Sequence, residues 1–529
     1  VKLSFDVVVV GGGASGLAAA IEAAAAGAST LVLEKNPMLG GSSRLSVGSI
    51  NAAGSSLQRR AGIVDTPDEH FADMDHYTGA FAGRDNLALR RLLVDHAAET
   101  LEWLMSLGLA FYGPTADPPA RHPRMHNVLP NSRAYPYYLG REARRRGVEV
   151  RLDARVAALL RAPDGGVRGV SAQIEGNAVE IEARRGVVLA AGDYSNGTEM
   201  KQRFRPELQQ IRGVNPTATG DGHRMAEAFG AALVNGEVVY GPGLRFVEPA
   251  KPNLVRRLPP SWWLGKLMQL ALNRLPIALF RPFVMSFMTA SLGPEASMLR
   301  AGAVLVNAEG QRFGDELQQP GLAIARQTGG LAWLLFDSRV AERFSAPPHY
   351  VSTAPGVAFA YLPDYRRHRA DLYHVAPSIA ALAQQLKMPP AVLQAAIEAH
   401  NRQLEAQPAT AGSAQRLPVT QGPFYALGPL ESRIVITDGG LAVNGSHQVL
   451  DREGRVVPRL YAAGSVGQGG ALLAGNGHHI CWAVTSGRRS GRFAAQSLAP
   501  QENEKAERAA MPPEAELTSS GARSTSRGT

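Results

Sequence analysis

The sequence is short of several things, and each shortage closes off a class of protein. It holds one cysteine, Cys481, so it cannot form an internal disulfide, which suits a reducing compartment. No uninterrupted apolar run approaches ~18 residues, so no membrane-crossing helix is expected. No leader-like stretch stands before the first hydrophobic run, so a cytoplasmic location is expected. No internal repeat and no metal-ligand spacing is present, and no metal is expected. Acidic residues fall short of basic ones, 46 against 55, giving a net charge of +9. A solvated, arginine-rich surface accounts for that excess without a nucleic-acid partner. What remains is a chain of 529 residues, 45% hydrophobic, long enough for two or more domains.

Phe5 to Val10 is a short continuous hydrophobic run, the pattern of a parallel strand buried on both faces. Gly11, Gly13 and Gly16 follow as G-x-G-x-x-G, with Ala14 and Ser15 inside the motif. Leu17 to Ala26 reads as helix and Leu31 to Leu33 as a second strand, ending at Glu34 and Lys35. Each glycine has a physical task. Gly11 permits the tight turn, Gly13 lets backbone approach a pyrophosphate, and Gly16 lets helix and strand pack closely. The helix N-terminus faces phosphate, and Glu34 is placed to bond a ribose hydroxyl. Strand, glycines, helix, strand and acid in register predict a dinucleotide site, without saying whether the ligand is FAD or NAD.

Later motifs narrow the choice. "GGSSRLSVGSINAAG" (Gly40 to Gly54), the strand pair within Gly147 to Gln173, "ARRGVVLAAGDYSN" (Ala183 to Asn196) and "TATGDGHRMAEAFGAAL" (Thr217 to Leu233) occur in order. "RFGDE" (Arg312 to Glu316), "PFYA" (Pro423 to Ala426), "TDGGLAVN" (Thr437 to Asn444) and "PRLYAAGSVGQGG" (Pro458 to Gly470) complete the set. In order and spacing this series resembles the flavoprotein family of fumarate reductase and succinate dehydrogenase, which includes the 3-ketosteroid dehydrogenases. The resemblance spans residues 5 to 495.

The resemblance implies FAD and an α/β fold: a Rossmann-like FAD-binding domain on a parallel sheet, discontinuous in sequence, with an inserted α+β capping domain. The expected boundaries are 1–240 and 427–498 for the FAD domain and 241–426 for the cap. Residues 499–529 read as a disordered tail, since "TSSGARSTSRGT" has nothing to bury. The implied cofactor residues are Gly11, Gly13, Ala14, Ser15, Gly16, Glu34, Lys35, Gly41, Ser42, Ser43, Gly48, Val156, Ala191, Gly192, Asp221, Gly464, Ser465, Asn476 and Ile480. Ser42 stands where the covalent relatives carry a flavin-linking histidine, so noncovalent FAD is expected.

"GGALLAGNGHHICWAVTSGRRSGR" (Gly469 to Arg492) contains a helix predicted to start near Gly477 and run to about Arg489. In the family this helix points at the flavin, where its free N–H groups stabilise negative charge. Gly477, His478 and His479 are therefore catalytic candidates, Gly477 through its N–H. Adjacent helical residues point about 100° apart, so at most one histidine faces a substrate. Where the family places carboxylate-gripping arginines, this chain carries Leu472-Leu473 and Pro320. Ile434 to Thr437 replaces a histidine, and Arg326 lies a turn too far along. A dicarboxylate needs several cations, because burying it unpaired is costly. The expected substrate is therefore uncharged and hydrophobic. The family's ketone-binding tyrosine is also replaced, within Leu473-Ala474. Tyr112, Tyr350, Tyr361 and Tyr365 are candidates to supply that hydroxyl, Tyr361 first.

Ser261 to Leu292 is rich in Trp, Leu, Met and Phe, punctuated by Lys266, Arg274 and Arg281. It reads as cap core, or as peripheral membrane contact on the cytoplasmic face. The leading expectation is dehydrogenation of a C–C bond beside the carbonyl of a hydrophobic, steroid-like ketone, the electron acceptor unknown. An enoate-type reductase and a membrane-associated electron-transfer flavoprotein are the alternatives.

Overall fold

The computed structural model describes residues 3–249, 254–276, 279–354, 358–406 and 416–497; the tail expected at 499–529 lies outside them. The opening strand (Leu3–Val10) pairs in parallel with Thr30–Leu33 on one side and Asn177–Leu189 on the other. Glu149–Arg151 and Val456–Ala462 extend the parallel set at its two ends. An antiparallel hairpin, Ala154–Arg161 with Val167–Ile174, joins through Asn177–Leu189. Val7 to Val9 are fully buried in the middle of this sheet, against which the helices Ala14–Ala25 and His478–Gln496 pack.

Two helices matter most for the site. The glycine-loop helix (Ala14–Ala25) starts directly after the opening strand. The last helix (His478–Gln496) lies against it. A Cβ on Gly487 would meet the Ser15 carbonyl oxygen at 2.3 Å, and one on Gly491 would meet that of Ala19 at 2.0 Å. The two glycines are one turn apart on one face, and only their missing side chains let the helices approach so closely. The last helix continues beyond Arg489 because Ala494 and Ala495 are still buried against the main core.

The inserted part folds around an antiparallel sheet in the order Gly243–Phe246, Phe424–Arg433, Leu331–Phe336, Val304–Val306, with Tyr373–Ala376 also pairing to Phe424–Arg433. It has cores of its own, one centred on Met285, Met288, Phe336 and Tyr365, another on Leu382, Leu393 and Ile397. The strand Phe424–Arg433 stays in this sheet throughout, so the cap reaches past residue 426. The stretch 378–406 is two helices, Ile379–Leu386 and Pro390–Ala406, divided at the Pro389-Pro390 pair. Two short pairings tie the cap's return to the FAD domain: Val239–Tyr240 with Ile436–Thr437, and Leu233–Val234 with Gly440–Leu441.

Candidate active site

A cleft opens at the carboxyl ends of the parallel strands. Among its lining residues are Gly11, Gly13, Ala14, Ser15, Glu34, Lys35, Gly41, Ser42, Ser43, Val156, Ala191, Gly192, Asp221, Gly464 and Ser465. The three motif glycines do three different things. Gly11 has φ +109°, and a Cβ there would meet the Ala190 carbonyl oxygen at 2.4 Å. Gly16 packs on Gly11, whose oxygen would be 1.9 Å from an added Cβ. Gly13 is open: the nearest atom to an added Cβ is the Gly40 oxygen at 3.9 Å, so a side chain would project into the cleft. Gly192, also lining the cleft, has nothing within 4 Å of an added Cβ. The glycine-loop helix is preceded by Gly13, which has no side chain to cap it, its Ala14 N–H donates to the Ser43 hydroxyl at 3.3 Å, and no acid lies in its first turn. Its N-terminus faces the space that Gly13 and Gly192 keep empty, as a pyrophosphate requires.

Glu34 does more than wait for a ribose. One carboxylate oxygen accepts from the Gly12 N–H at 2.7 Å, the other from the Asn36 N–H at 2.9 Å and its side-chain amide at 2.7 Å. It therefore holds the glycine loop to the second strand. Lys35 pairs with Asp221 at 2.9 Å and donates to Thr219. Ser42 accepts from the Asn215 side-chain amide at 2.9 Å. Asn36, Arg155, Asn215 and Thr217 line the cleft without having been singled out in the sequence; the last two stand just before the GDG turn, which was the available signal. Gly48, Asn476 and Ile480 lie outside the cleft lining. Gly48 packs on Val128, Asn476 donates its amide to Asp117 at 2.9 Å, and Ile480 packs on the main core.

The last helix brings Ala483 into the cleft wall. His479 is one turn earlier on the same face, so it continues that wall toward the helix start. Its Nε2 lies 2.7 Å from Asp438 Oδ1. The other carboxylate oxygen accepts from the Tyr240 hydroxyl at 2.7 Å and the Leu473 N–H at 3.1 Å. Asp438 is fully buried, and these three donors offset the cost of burying its charge. Burial first, and Asp438 beside it, push the Tyr240 hydroxyl far above its usual range, so it stays protonated. Asp193, buried close by, is raised to about 6 by burial.

His478 points the other way. It is buried, its Nδ1 lies 2.7 Å from the Ala474 carbonyl oxygen, and its Nε2 is 3.0 Å from that of His70. These distances assign a proton to Nδ1 and make Nε2 an acceptor from His70. Burial lowers His478 to about 4 and His70 well below its usual value, so both are neutral. Of the adjacent histidines, only His479 faces the cleft side. Gly477 caps the helix with φ +89°, its would-be Cβ 2.8 Å from the Asn51 nitrogen.

Leu472 and Leu473 are buried, and their N–H groups donate to Asp85 and Asp438 respectively. Behind Leu473 stands the Asp438 carboxylate, and behind Leu472 an Asp85 carboxylate paired with the buried Arg90. Pro320 begins a short helix (Pro320–Ala325), and Arg326 stands exposed at its end. Leu322 and Ala325 of that helix pack with Ile434, Ile211 and Val239 where the cap meets the FAD domain. Tyr361 is elsewhere: it caps the helix Leu362–His368 within the cap, its ring under the Arg281 guanidinium. The last helix meets Tyr77 at His478 and Tyr240 at His479, and Tyr240 was missed in the sequence along with Asp438. The "TDGG" motif marked Asp438, but nothing marked Tyr240.

A family profile described as FAD binding domain matches residues 6–252 and 281–477. The chain belongs to this FAD-binding family. It is an FAD-dependent oxidoreductase by that membership, and FAD is the cofactor for which the cleft is shaped. Vinyl phenol reductase of Lactiplantibacillus plantarum is 28% identical over 93% of this chain and 97% of its own length. NADH:fumarate oxidoreductase of Klebsiella pneumoniae is 28% identical over 89% of this chain, which spans 46% of that longer protein. Among solved structures, the open conformation of a flavocytochrome c3 fumarate reductase is similar at TM-score 0.70 and 25% identity, over 93% of this chain and 78% of that one. A 3-ketosteroid delta1-dehydrogenase from Sterolibacterium denitrificans shares the fold at TM-score 0.63 and 20% identity, over 94% of this chain and 100% of that one.

Proposed function

We propose that the protein moves two hydrogens across a carbon–carbon bond beside a carbonyl or similar activating group in an uncharged, hydrophobic substrate. Reduction of the double bond is the favoured direction. The observation that carries this reading is the His479–Asp438–Tyr240 cluster, standing beside Leu472 and Leu473 where a carboxylate-binding site would need cations. Noncovalently bound FAD supplies the hydride chemistry. The chain's own residues handle the proton. Asp438 holds the His479 ring through Nε2, which leaves Nδ1 as the nitrogen available to a substrate. In its protonated form the ring held by Asp438 donates a proton to carbon, and in its neutral form it accepts one in reverse. Tyr240 keeps Asp438 oriented. The first-turn N–H groups after Gly477 polarise a carbonyl oxygen. Buried carboxylates at Asp193 and Asp438 oppose an anionic substrate by like charge, whereas Asp85 is neutralised by the buried Arg90.

The reductive direction draws on vinyl phenol reductase, which matches this chain almost end to end and is named for an uncharged alkene. Dehydrogenation of a lipophilic ketone is the second reading. It is favoured by the same Asp438-held ring, whose free nitrogen can take a proton next to a ketone. Anaerobic half-reactions separate them. Pre-reduced enzyme is mixed with enones, vinyl arenes and fumarate, and oxidised enzyme with saturated ketones, while flavin absorbance is followed. Reoxidation by an uncharged alkene is the expected result. Efficient reoxidation by fumarate, with uncharged alkenes inert, overturns the proposal.

A further inference from the structure

The helix Trp262–Arg274 wears its apolar side outward. Trp262, Trp263, Leu267 and Leu270 are 57%, 62%, 55% and 54% exposed. On a helical wheel, Trp262, Trp263, Lys266, Leu267, Leu270 and Arg274 fall within one arc of about 140°. The opposite side holds the helix down: Gly265 is buried, and a Cβ there would touch Ala110 at 3.3 Å. A helix resting on a protein surface in water normally does the reverse. The exposed apolar series continues with Leu275, Leu279 and Phe283.

Charge accompanies it. From Leu254 to Leu292 the sequence has no Asp or Glu, while Arg257, Lys266 and Arg274 are exposed. A groove beside the helix has Leu57, Leu270, Arg60 and Lys266 among its lining residues, apolar and basic side chains together. The family match stops at 252 and resumes at 281, so the Trp helix lies in a stretch outside the shared pattern. No described helix is long and apolar enough to cross a membrane.

We infer that this face docks on the surface of an anionic phospholipid bilayer. Trp262, Trp263, Leu267 and Leu270 enter the interface, while Lys266, Arg274, Arg257 and Arg60 meet headgroup phosphates. Tryptophan suits the boundary because its ring is apolar and its N–H finds polar partners there. Charge complementarity selects the bilayer over a second copy of this chain, since two copies would bring like charges together.

The test uses the full-length, FAD-loaded protein and sedimentation with vesicles of phosphatidylcholine, alone or mixed with phosphatidylglycerol. The protein is expected to pellet with the mixed vesicles and much less with phosphatidylcholine alone, and salt is expected to weaken binding. The double variant Trp262→Ser, Trp263→Ser should bind at least about tenfold more weakly. Lys266→Glu with Arg274→Glu should lose about fivefold or more per charge. FAD content and flavin turnover report folding and should stay at the wild-type level in all variants. Wild-type protein that stays in solution with both vesicle types overturns the inference. So does a double Trp variant that pellets as well as wild type, or concentration-dependent self-association through these tryptophans without vesicle binding.

Discussion

The two ends of the active site are built from different materials. The dinucleotide end is made of backbone: a glycine loop, a helix N-terminus and positions where a side chain would intrude, such as Gly13 and Gly192. The proposed substrate end is made of side chains gathered from distant places, Tyr240, Asp438 and His479. A backbone site is spelled out locally and tolerates almost no change at its glycines. A side-chain site is assembled by the fold and can be altered residue by residue, which lets one cofactor frame host different substrates.

This contrast can be broken most sharply at Gly13. Gly13→Val puts a branched side chain where nothing approaches closer than 3.9 Å, and the purified protein should come out colourless. Wild-type protein should be yellow and release FAD on denaturation, because Ser42 offers no histidine link; flavin retained on the denatured chain would contradict this. Next in size, His479→Ala should keep FAD and lose about 10²–10⁴ in turnover on a substrate found by the half-reaction screen. Full activity in that variant would remove the proton-carrying role. His478→Ala makes the complementary case: it leaves His70 without its partner and should lower thermal stability by about 1–3 kcal/mol.

Acid sharpens the comparison further. Unfolded histidines take up a proton near 6.5, whereas burial holds His126, His223 and His478 neutral down to about 4. Between those values the unfolded chain binds more protons, so stability must fall as the pH falls through the window. Each group contributes up to about 1.4 kcal/mol per pH unit there. Thermal melts from pH 7 to 5 should show the decline, and His478→Gln should flatten it; a pH-independent melting temperature would contradict the buried neutral histidines. The smallest effects distinguish the tyrosines. Tyr240→Phe removes one of three donors to Asp438 and should slow turnover by about tenfold, near the net worth of one hydrogen bond to a charged group. Tyr361→Phe, changed under Arg281 in the cap, should leave the rate unaltered.

Legibility followed the same division. The opening strand, glycine loop, second strand and Glu34 were readable because each is specified within about thirty residues by local sterics and periodicity. The family series carried the FAD assignment and the inserted cap. The start of the last helix was readable from Gly477, but its end was not, since burial of Ala494 and Ala495 is a tertiary fact. Tyr240 could not be read at all. It sits just before the cap sheet begins, and only the pairing of Val239–Tyr240 with Ile436–Thr437 brings it to Asp438. Tyr361 was a reasonable choice by composition, yet no local pattern says which side of a domain a loop tyrosine will occupy. The Trp segment divided its two readings: Met285 and Met288 went into the cap core, while Trp262 and Trp263 stayed outside.

The seam where Gly487 and Gly491 meet Ser15 and Ala19 works as a length gauge. One helix starts at Gly13 in the cofactor cleft and the other at Gly477, and the seam bolts their shafts together. The span between them is then insensitive to how the cap sits. A methyl group at Gly487 would have to open the seam by about an ångström to clear the Ser15 oxygen. Because the tips lie at some distance from the seam, that wedge would tilt one against the other and stretch the gauge. Gly487→Ala should therefore weaken FAD retention from a position that does not touch the cleft.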